Sequence, residues 1–515
     1  MYLTQGLHRA VQQTPDAAMT VFGDRKRTFG ETADRVARLA SALRGLGVGD
    51  GDRVAMLALN SDRYHEYLLA VPWANAVLNP VNIRWSPAEI AYSLDDSDSH
   101  VLLVDDAFAK MLPALTDAYS GLRTVIHCGD GPAPEGTLSY EDLIAAAEPI
   151  EDARRGGDEL AGLFYTGGTT GFPKGVMLSH TNLLTSSFGS VASGCVLAPE
   201  ARYLHAAPMF HAADLAAWGA AMLLGATHVM IPAFDPVAVL EAVATHQVTD
   251  TLLVPVMIQL VVDHPALAEY DTTSLRRIVY GASPIPQAVL ERAMKAFPNA
   301  AFTQAYGMTE LAPVTTLLGP EDHRKTSLLR SAGRAAPHSE VRILDPDGVE
   351  LPRGTVGEIC SRGGHVMLGY WNKPAETADA LRGGWMHSGD GGYMDDEGYV
   401  FVVDRIKDMI VSGGENVYSA EVENAVAQHP AVAACAVIGV PDEEWGERVH
   451  AVVVLKQGHT LTAEAVREHA KTRIAGYKAP RTAEFVDALP VSGAGKILKR
   501  ELRRKYWDDA DRQVH

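Results

Sequence analysis

Residues 1 to about 330 alternate helical patterns with short apolar runs: Arg53–Leu59, Val101–Val104, Thr124–His127, Leu160–Phe164, His228–Ile231, Thr251–Val254 and Arg277–Tyr280. Runs that are apolar throughout must be covered on both faces, and parallel strands with helices packed over them meet that demand. The texture changes near residue 335. Glu340–Leu344, the turn Pro346-Asp347-Gly348, Val349–Leu351 and Gly357–Ser361 predict hairpins in a small antiparallel or barrel-like unit. Beyond Arg405 a second α/β pattern follows, with helices around Ala420–His429 and Thr462–Ile474 and strands Ala434–Val440 and His450–Leu455. A chain of 515 residues is too long for one core. The expected division is a domain over 1–405, its β-rich part at about 335–405, and a C-terminal domain over 406–515.

The run Leu160–Phe164 feeds a loop suited to phosphate: Tyr165-Thr166-Gly167-Gly168-Thr169-Thr170-Gly171-Phe172-Pro173-Lys174-Gly175. Its glycines let backbone N–H groups converge on one anion. Thr166, Thr169 and Thr170 add hydroxyl donors, and Lys174 adds a compact positive charge. Val176 onward predicts a short turn and then a helix. The P-loop is excluded, because Lys174 follows Pro173 and precedes Gly175. A second candidate, Ser492–Ile497, fails because position 490 is Pro490 and Ile497 has no hydroxyl. No dinucleotide fingerprint sits at a strand-to-helix junction.

A net charge of −19 argues against general nucleic-acid binding. Cys128, Cys195, Cys360 and Cys435 form no CxxC pair, so neither a disulfide framework nor a zinc site is suggested, which fits a cytoplasmic protein. Leu3, Leu7 and Val11 have helical spacing, without a signal-peptide apolar region. The apolar run Leu215–Ile231, interrupted by Gly219, Gly225 and His228, predicts a buried helix followed by a strand rather than a membrane span.

Four further clusters accompany the loop. Gln304–Glu310 puts an aromatic face beside a hydroxyl and a carboxylate. Trp385–Asp390 ends in an acid able to grip two ribose hydroxyls. Asp404–Asp408 leads into Ser412–Asn416, and Gly495-Lys496 stands near the end. In this order they resemble the adenylate-forming superfamily of acyl-CoA synthetases, peptide-synthetase adenylation domains and beetle luciferases, over essentially the whole chain. The acyl- and aryl-CoA ligase branch is nearest, through Asp404–Glu423 and Ile438–Glu447.

The resemblance implies an α/β fold: a large N-terminal domain of two α/β subdomains plus a small β-barrel, followed by a small mobile α+β lid. It implies ATP-dependent activation of a carboxylic acid to acyl-AMP with release of pyrophosphate, then transfer to the thiol of CoA. ATP, Mg²⁺ and CoA are the implied small molecules. Gly167, Gly168, Thr169, Thr170, Gly171 and Lys174 would hold the β- and γ-phosphates, with Thr166 and Glu310 near Mg²⁺. Tyr306 would stack on adenine beside Gly281, Ala282, Ser283 and Gly307, and Thr309 would contact the α-phosphate. Asp390, assisted by Arg405, would hold the ribose. Lys496 would bridge carboxylate and α-phosphate from the lid, and Lys407 would be the hinge. Gly413 and Gly414 would line a pantetheine tunnel, with Trp445, Tyr477 and Arg481 on the CoA nucleotide.

The sequence departs from the family pattern in places. Gly168 replaces a serine, and Ala479 stands where a second basic residue sometimes occurs. His211, a catalytic and acyl-end candidate, stands where amino-acid-activating domains carry an aspartate, which argues against an α-amino acid. Nearby Asp214 reads as a helix cap. The acyl pocket is expected among Phe210, His211, Trp218, Met257, Gly281, Gly307 and Met308. These mostly apolar residues indicate a medium or long fatty, cyclic or aromatic acid. Rival readings are transfer of the adenylate to an amine or a carrier protein, or a non-catalytic nucleotide-binding protein. The resemblance implies no transmembrane segment and allows a homodimer.

Overall fold

The computed structural model describes residues 1–166, 173–412, 415–442, 444–491 and 497–507, with all their side chains except those of Lys407 and Asn416. Predicted site residues Gly167, Gly168, Thr169, Thr170, Gly171, Gly413, Gly414 and Lys496, and the side chain of Lys407, lie outside the described residues. By compactness the chain forms two units, Met1–Val341 with Ser361–Met386, and Arg342–Cys360 with His387–His515.

The first unit carries two sheets. One runs, edge to edge, through Arg334–Ala335, Thr316–Leu318, Ala301–Tyr306, Arg277–Gly281, Asp250–Leu252, Arg202–His205, Thr227–Met230, Ala18–Phe22 and Arg25–Thr28. Its interior pairings are parallel, and antiparallel pairs occur only towards its two edges. The other runs through Gly369–Tyr370, Lys174–Ser179, Leu160–Thr166, Val77–Pro80, Arg53–Leu57, Val101–Val104, Thr124–His127 and Leu138–Ser139. Val101–Val104 is buried at every position, which is why it reads as an unbroken apolar run; Val77–Pro80, equally buried, carries Asn79 and gives no such run. The helix Asp62–Trp73 is buried along its whole length. One hydrophobic cluster joins its Tyr64, Tyr67 and Leu68 to Val54 and Leu78 of one sheet and to Met230 of the other.

Two sequence expectations change here. Lys174–Ser179 is a strand, not a turn: it pairs antiparallel with Leu160–Thr166, with Thr166 opposite Lys174 and Phe164 opposite Val176. The helix follows only at His180–Ala192, started by a capping box between Ser179 and Asn182. Val349–Leu351 forms no strand; Glu350 makes one isolated bridge to Leu344. The apolar run does divide into a helix, Ala212–Leu224, and a strand, Thr227–Met230. Gly225 at φ +69° ends the helix in the left-handed region that favours glycine. Among the described residues no helix is long and apolar enough to cross a membrane.

The second unit holds most of a four-stranded sheet, ordered Glu340–Leu344, Gly357–Arg362, Met386–Met394, Val400–Arg405. It also holds a sheet built on the long antiparallel pair Val432–Asp442 and Gly446–Leu455. Thr482–Phe485 joins the latter in parallel, and Ile410–Ser412 with Glu415–Val417 extends it. Ser419–Ala427 and Ala463–Lys471 cover its apolar face through Val422, Val426 and Val466. The whole is mixed α/β, a large N-terminal region of parallel and mixed sheets followed by a smaller C-terminal one.

Candidate active site

Thr166 and Lys174 are cross-strand partners, so strand register alone brings the two ends of the predicted phosphate loop together. Tyr370, which the sequence reading missed, pairs its strand with Lys174–Ser179, opposite Val176. The Lys174 ammonium lies 5.0 Å from the Tyr370 ring centroid, within cation–π range. The same tyrosine donates its hydroxyl to Glu310 Oε1 at 2.8 Å. Glu310 is buried in the turn Thr309–Leu311, and its carbonyl accepts the Met367 N–H at 2.9 Å. One aromatic side chain therefore touches both the loop cation and the buried carboxylate. Beneath them Tyr165 donates to Asp96 Oδ2 at 2.6 Å, and the Trp371 indole N–H donates to the Asp96 carbonyl at 2.8 Å. Burial, with Asp96, pushes the Tyr165 phenol well up, so it stays a neutral donor. The Glu310 carboxylate and the Thr166 hydroxyl are hard oxygen donors, and the partner of Glu310 is an uncharged phenol; this donor set fits Mg²⁺.

Gly281 and Tyr306 sit at adjoining strand ends, with Gly281 opposite Ala305. A Cβ on Gly281 would lie 2.1 Å from the Ala305 carbonyl oxygen, so the strands can pair this closely only with glycine there. Gly307 has φ +157°, and a Cβ there would stand 2.0 Å from the Pro313 carbonyl oxygen. Ala282 adopts φ +67° between Gly281 and Ser283, unusual for a residue with a Cβ. The backbone is thus drawn tight around the predicted adenine-binding residues.

At the acyl end, Asn60 stitches Ala207–Met209 into place: its Nδ2 donates to the Ala207 carbonyl at 2.9 Å and its Oδ1 accepts the Met209 N–H at 2.7 Å. Phe210 is buried, and His211 caps the helix Ala212–Leu224 through Nδ1, which accepts the Ala213 N–H at 3.3 Å. Beside it lies a small cavity of about 30 Å³ walled by Ala213, Ala216 and Ala217 of that helix, by Ser190, Val196 and Leu197, and by Tyr203, Leu252, Val279, Ala305 and Val314. Trp218 and Met257 are buried outside this wall, Met257 within the apolar cluster around Ile258 and Val261.

The cap assigned to Asp214 belongs to His211 instead. Asp214 is fully buried, accepting from His205 Nδ1 at 2.7 Å and from the Tyr203 hydroxyl at 3.3 Å. His205 Nε2 lies 2.9 Å from His228 Nδ1, the His228 ring lies 4.5 Å from that of His65, and Trp218 donates to His65 Nδ1 at 3.0 Å. Burial drives His65 down to about 3 and His228 far below the usual imidazole range, so both rings are neutral.

In the second unit Asp390 and Arg405 are cross-strand partners, with Arg405 Nε 2.7 Å from Asp390 Oδ1. Asp390 is oriented from behind: its N–H donates to Ser388 Oγ at 3.0 Å, and Ser388 donates to the Ile359 carbonyl at 2.6 Å. Glu358 accepts the Gly389 N–H at 2.9 Å and lies 2.7 Å from His387 Nδ1. Among the described residues Glu358, Cys360 and His387 are the one metal-ligand-type cluster, with Cys360 Sγ 3.3 Å from His387 Nδ1.

Lys407 lies in the turn Ile406–Asp408, and Arg503 lies 2.8 Å from Asp408. Arg481 stacks over Trp445 at 4.2 Å, while Tyr477 is exposed. Val491 bridges Ile497, flanking the segment that contains Lys496.

The comparisons support a ligase of the adenylate-forming kind and name its family. The AMP-binding enzyme family model matches residues 7–371, and the model for the AMP-binding enzyme C-terminal domain matches residues 421–496. The chain belongs to the adenylate-forming superfamily of AMP-binding enzymes. It is 43% identical over 499 residues to a feruloyl-CoA synthase of Amycolatopsis sp, covering 97% of this chain and 98% of that protein. Among solved structures it is similar to the amide bond synthetase McbA from Marinactinospora thermotolerans (31% identity, TM-score 0.87, 98% of this chain and 100% of that one). It is also similar to the anthranilate CoA ligase AuaEII in complex with anthranoyl-AMP (27% identity, TM-score 0.91, 98% and 97%).

Proposed function

We propose that this enzyme condenses a carboxylic acid with ATP to acyl-AMP and pyrophosphate, then transfers the acyl group to the thiol of CoA. The observation that carries the first step is the contact of Tyr370 with both Lys174 and Glu310. A carboxylate oxygen attacks the α-phosphorus and the bond to the pyrophosphate oxygen breaks. Two anions must approach each other, so positive charge and N–H donors at the phosphates are the dominant catalytic demand. Lys174, with the loop residues Gly167–Gly171, meets that demand, and Thr309 faces the α-phosphate. When bound, Mg²⁺ would add charge neutralisation, held by Glu310 and Thr166. Tyr306 provides the adenine face, Asp390 with Arg405 grips the ribose, and Lys496 bridges the reacting carboxylate and phosphate.

In the second step the thiol sulfur attacks the acyl carbonyl, the bond to AMP breaks and the thiol proton is released. The lid, turning at Lys407, would present Gly413 and Gly414 to the pantetheine arm. Arg481 over Trp445 supplies a cation and an aromatic face for the CoA nucleotide. The described residues that line the cavity beside the acyl end are uncharged and mostly apolar, which favours an uncharged tail. An aromatic acid is further supported by the feruloyl-CoA and anthranilate relatives. An amine acceptor in place of CoA is the second reading, favoured by the likeness to McbA.

The experiment is pyrophosphate release across a panel of acids, with and without CoA, alongside detection of the acyl thioester. CoA-dependent thioester supports the proposal. Release that accelerates only with an added amine would replace CoA by the amine reading, and no release with any acid would refute adenylation.

A further inference from the structure

Glu358 and Cys360 stand two residues apart on the strand Gly357–Arg362, so their side chains leave the same face of the sheet. His387 lies on the neighbouring strand, Met386–Met394. Its Nδ1 is 2.7 Å from Glu358 Oε2 and 3.3 Å from Cys360 Sγ. A hydrogen on that nitrogen can point along only one of those two directions. A thiol–imidazole–carboxylate relay would set sulfur and carboxylate on opposite ring nitrogens. Here both face the same one, which excludes a nucleophile of that type. The three ligand atoms instead share a centre, all lying within 4.8 Å of one another. A cation held tetrahedrally by nitrogen, sulfur and oxygen separates its ligands by about 3.3–3.8 Å. The sulfur–nitrogen pair is already at that spacing, and only Glu358 Oε2 must draw back.

We propose that Glu358, Cys360 and His387 form a binding site for a zinc-class divalent cation, distinct in donor chemistry from the oxygen set assigned to Mg²⁺. A thiolate beside an imidazole selects such ions over Mg²⁺ or Ca²⁺, which prefer oxygen alone. Three protein ligands leave a fourth position for water. The carboxylate is already aimed. The Gly389 N–H holds Oε1 at 2.9 Å and leaves Oε2 to the cluster, the kind of outer hydrogen bond that orients metal ligands. Cys360 is fully buried, whereas the side chains of His387 and Glu358 keep 6% and 14% exposure, so an ion enters past Glu358. Bound there, it ties Gly357–Arg362 to the strand that carries Asp390. Spacing along the chain conceals the set, because a cysteine and a histidine on different strands form no ligand motif.

The test titrates the chelator-treated full chain, without ATP, with Zn²⁺ against a chromogenic chelator and with Co²⁺ by absorption. A single Zn²⁺ is expected to bind and to resist excess Mg²⁺. Co²⁺ should give a thiolate-to-metal charge-transfer band and the strong visible bands of tetrahedral coordination. Cys360→Ala should abolish the charge-transfer band and weaken Zn²⁺ binding by at least about 100-fold. Glu358→Gln, which keeps an acceptor for the Gly389 N–H, should weaken it about 10- to 100-fold. Cys195→Ala, which removes a less buried thiol outside the cluster, should change neither. Zn²⁺ should also raise the thermal midpoint of the native protein but not that of Cys360→Ala. Absence of Zn²⁺ binding, binding that survives Cys360→Ala, displacement by Mg²⁺, or a Co²⁺ complex without the thiolate band overturns the site. Should Cys360→Ala fail to fold, the native Co²⁺ band and its weakening in Glu358→Gln decide: both present supports the site, and either one missing overturns it.

Discussion

At the proposed phosphate end of the first unit the charged groups are tied across elements: Lys174 sits over Tyr370, Tyr370 bonds Glu310, and Asp96 anchors Tyr165 and Trp371. At the proposed acyl end the cavity wall is mostly alanine, valine and leucine, and Asp214 on the same helix bonds into a chain of histidines. The difference matches two demands. Phosphate chemistry is the same for every acid, and polar networks hold its geometry rigidly. An acyl pocket must be free to change volume, and small side chains change volume without breaking hydrogen bonds.

The comparison predicts graded consequences. The largest is expected at Glu310: Glu310→Gln keeps the shape and the bond from Tyr370 but removes the charge, and should lower adenylation about 100- to 1000-fold. Acid-dependent pyrophosphate exchange checks this, and a loss below 10-fold would mean that Glu310 only braces Tyr370.

Next comes the polar chain behind the acyl end. His65 and His228 have their folded-state pKa values depressed, His65 to about 3, mainly by burial. The unfolded chain therefore binds more protons between about pH 6.5 and 3. Their stabilisation is complete above pH 6.5 and is lost as pH falls below it, by on the order of a few kcal/mol by pH 4. Urea titrations between pH 8 and pH 4 should show the decline, and a flat profile would remove these histidines from the account.

Smaller is the effect of filling the small cavity at the proposed acyl end. Ala217→Leu should lower kcat/KM for a ring acid about 10- to 100-fold while acetate is affected far less. Equal losses for both acids would show that the wall supports the fold rather than selects the acid. The smallest is Tyr370→Phe, which keeps the ring under Lys174 and deletes the bond to Glu310. A fall of about 10-fold in adenylation is expected, and stopped-flow measurement of the first turnover would separate it from product release.

Much of this arrangement was legible in the chain itself. Val101–Val104 and Thr124–His127 fold as strands over the residues their apolar runs mark, because those runs are interior to a parallel sheet. The grip of Lys174–Ser179 was not legible. It begins with Lys-Gly, like a turn, and becomes a strand by pairing on one side with Leu160–Thr166 and on the other with Gly369–Tyr370, nearly two hundred residues away. Tyr370 was missed for the same reason: its neighbours in sequence say nothing of Glu310. Asp214 was read as a cap from its place near a helix start, but the side chain that reaches the end of the helix is His211. His65, His205 and His228 come from three separate segments, and no spacing could have announced their contact.

That histidine chain has one more consequence, in the placement of protons. Trp218 can only donate, so His65 carries its hydrogen on Nε2. Asp214 can only accept, so His205 carries a hydrogen on Nδ1. The indole thus sets the tautomer of neutral His65, and the carboxylate sets one proton of His205. The N–H of His65 Nε2 faces no bonded partner among the described residues. Imidazole ¹⁵N shifts would read these proton positions directly, and Trp218→Phe, which removes the donor, would free His65 to switch.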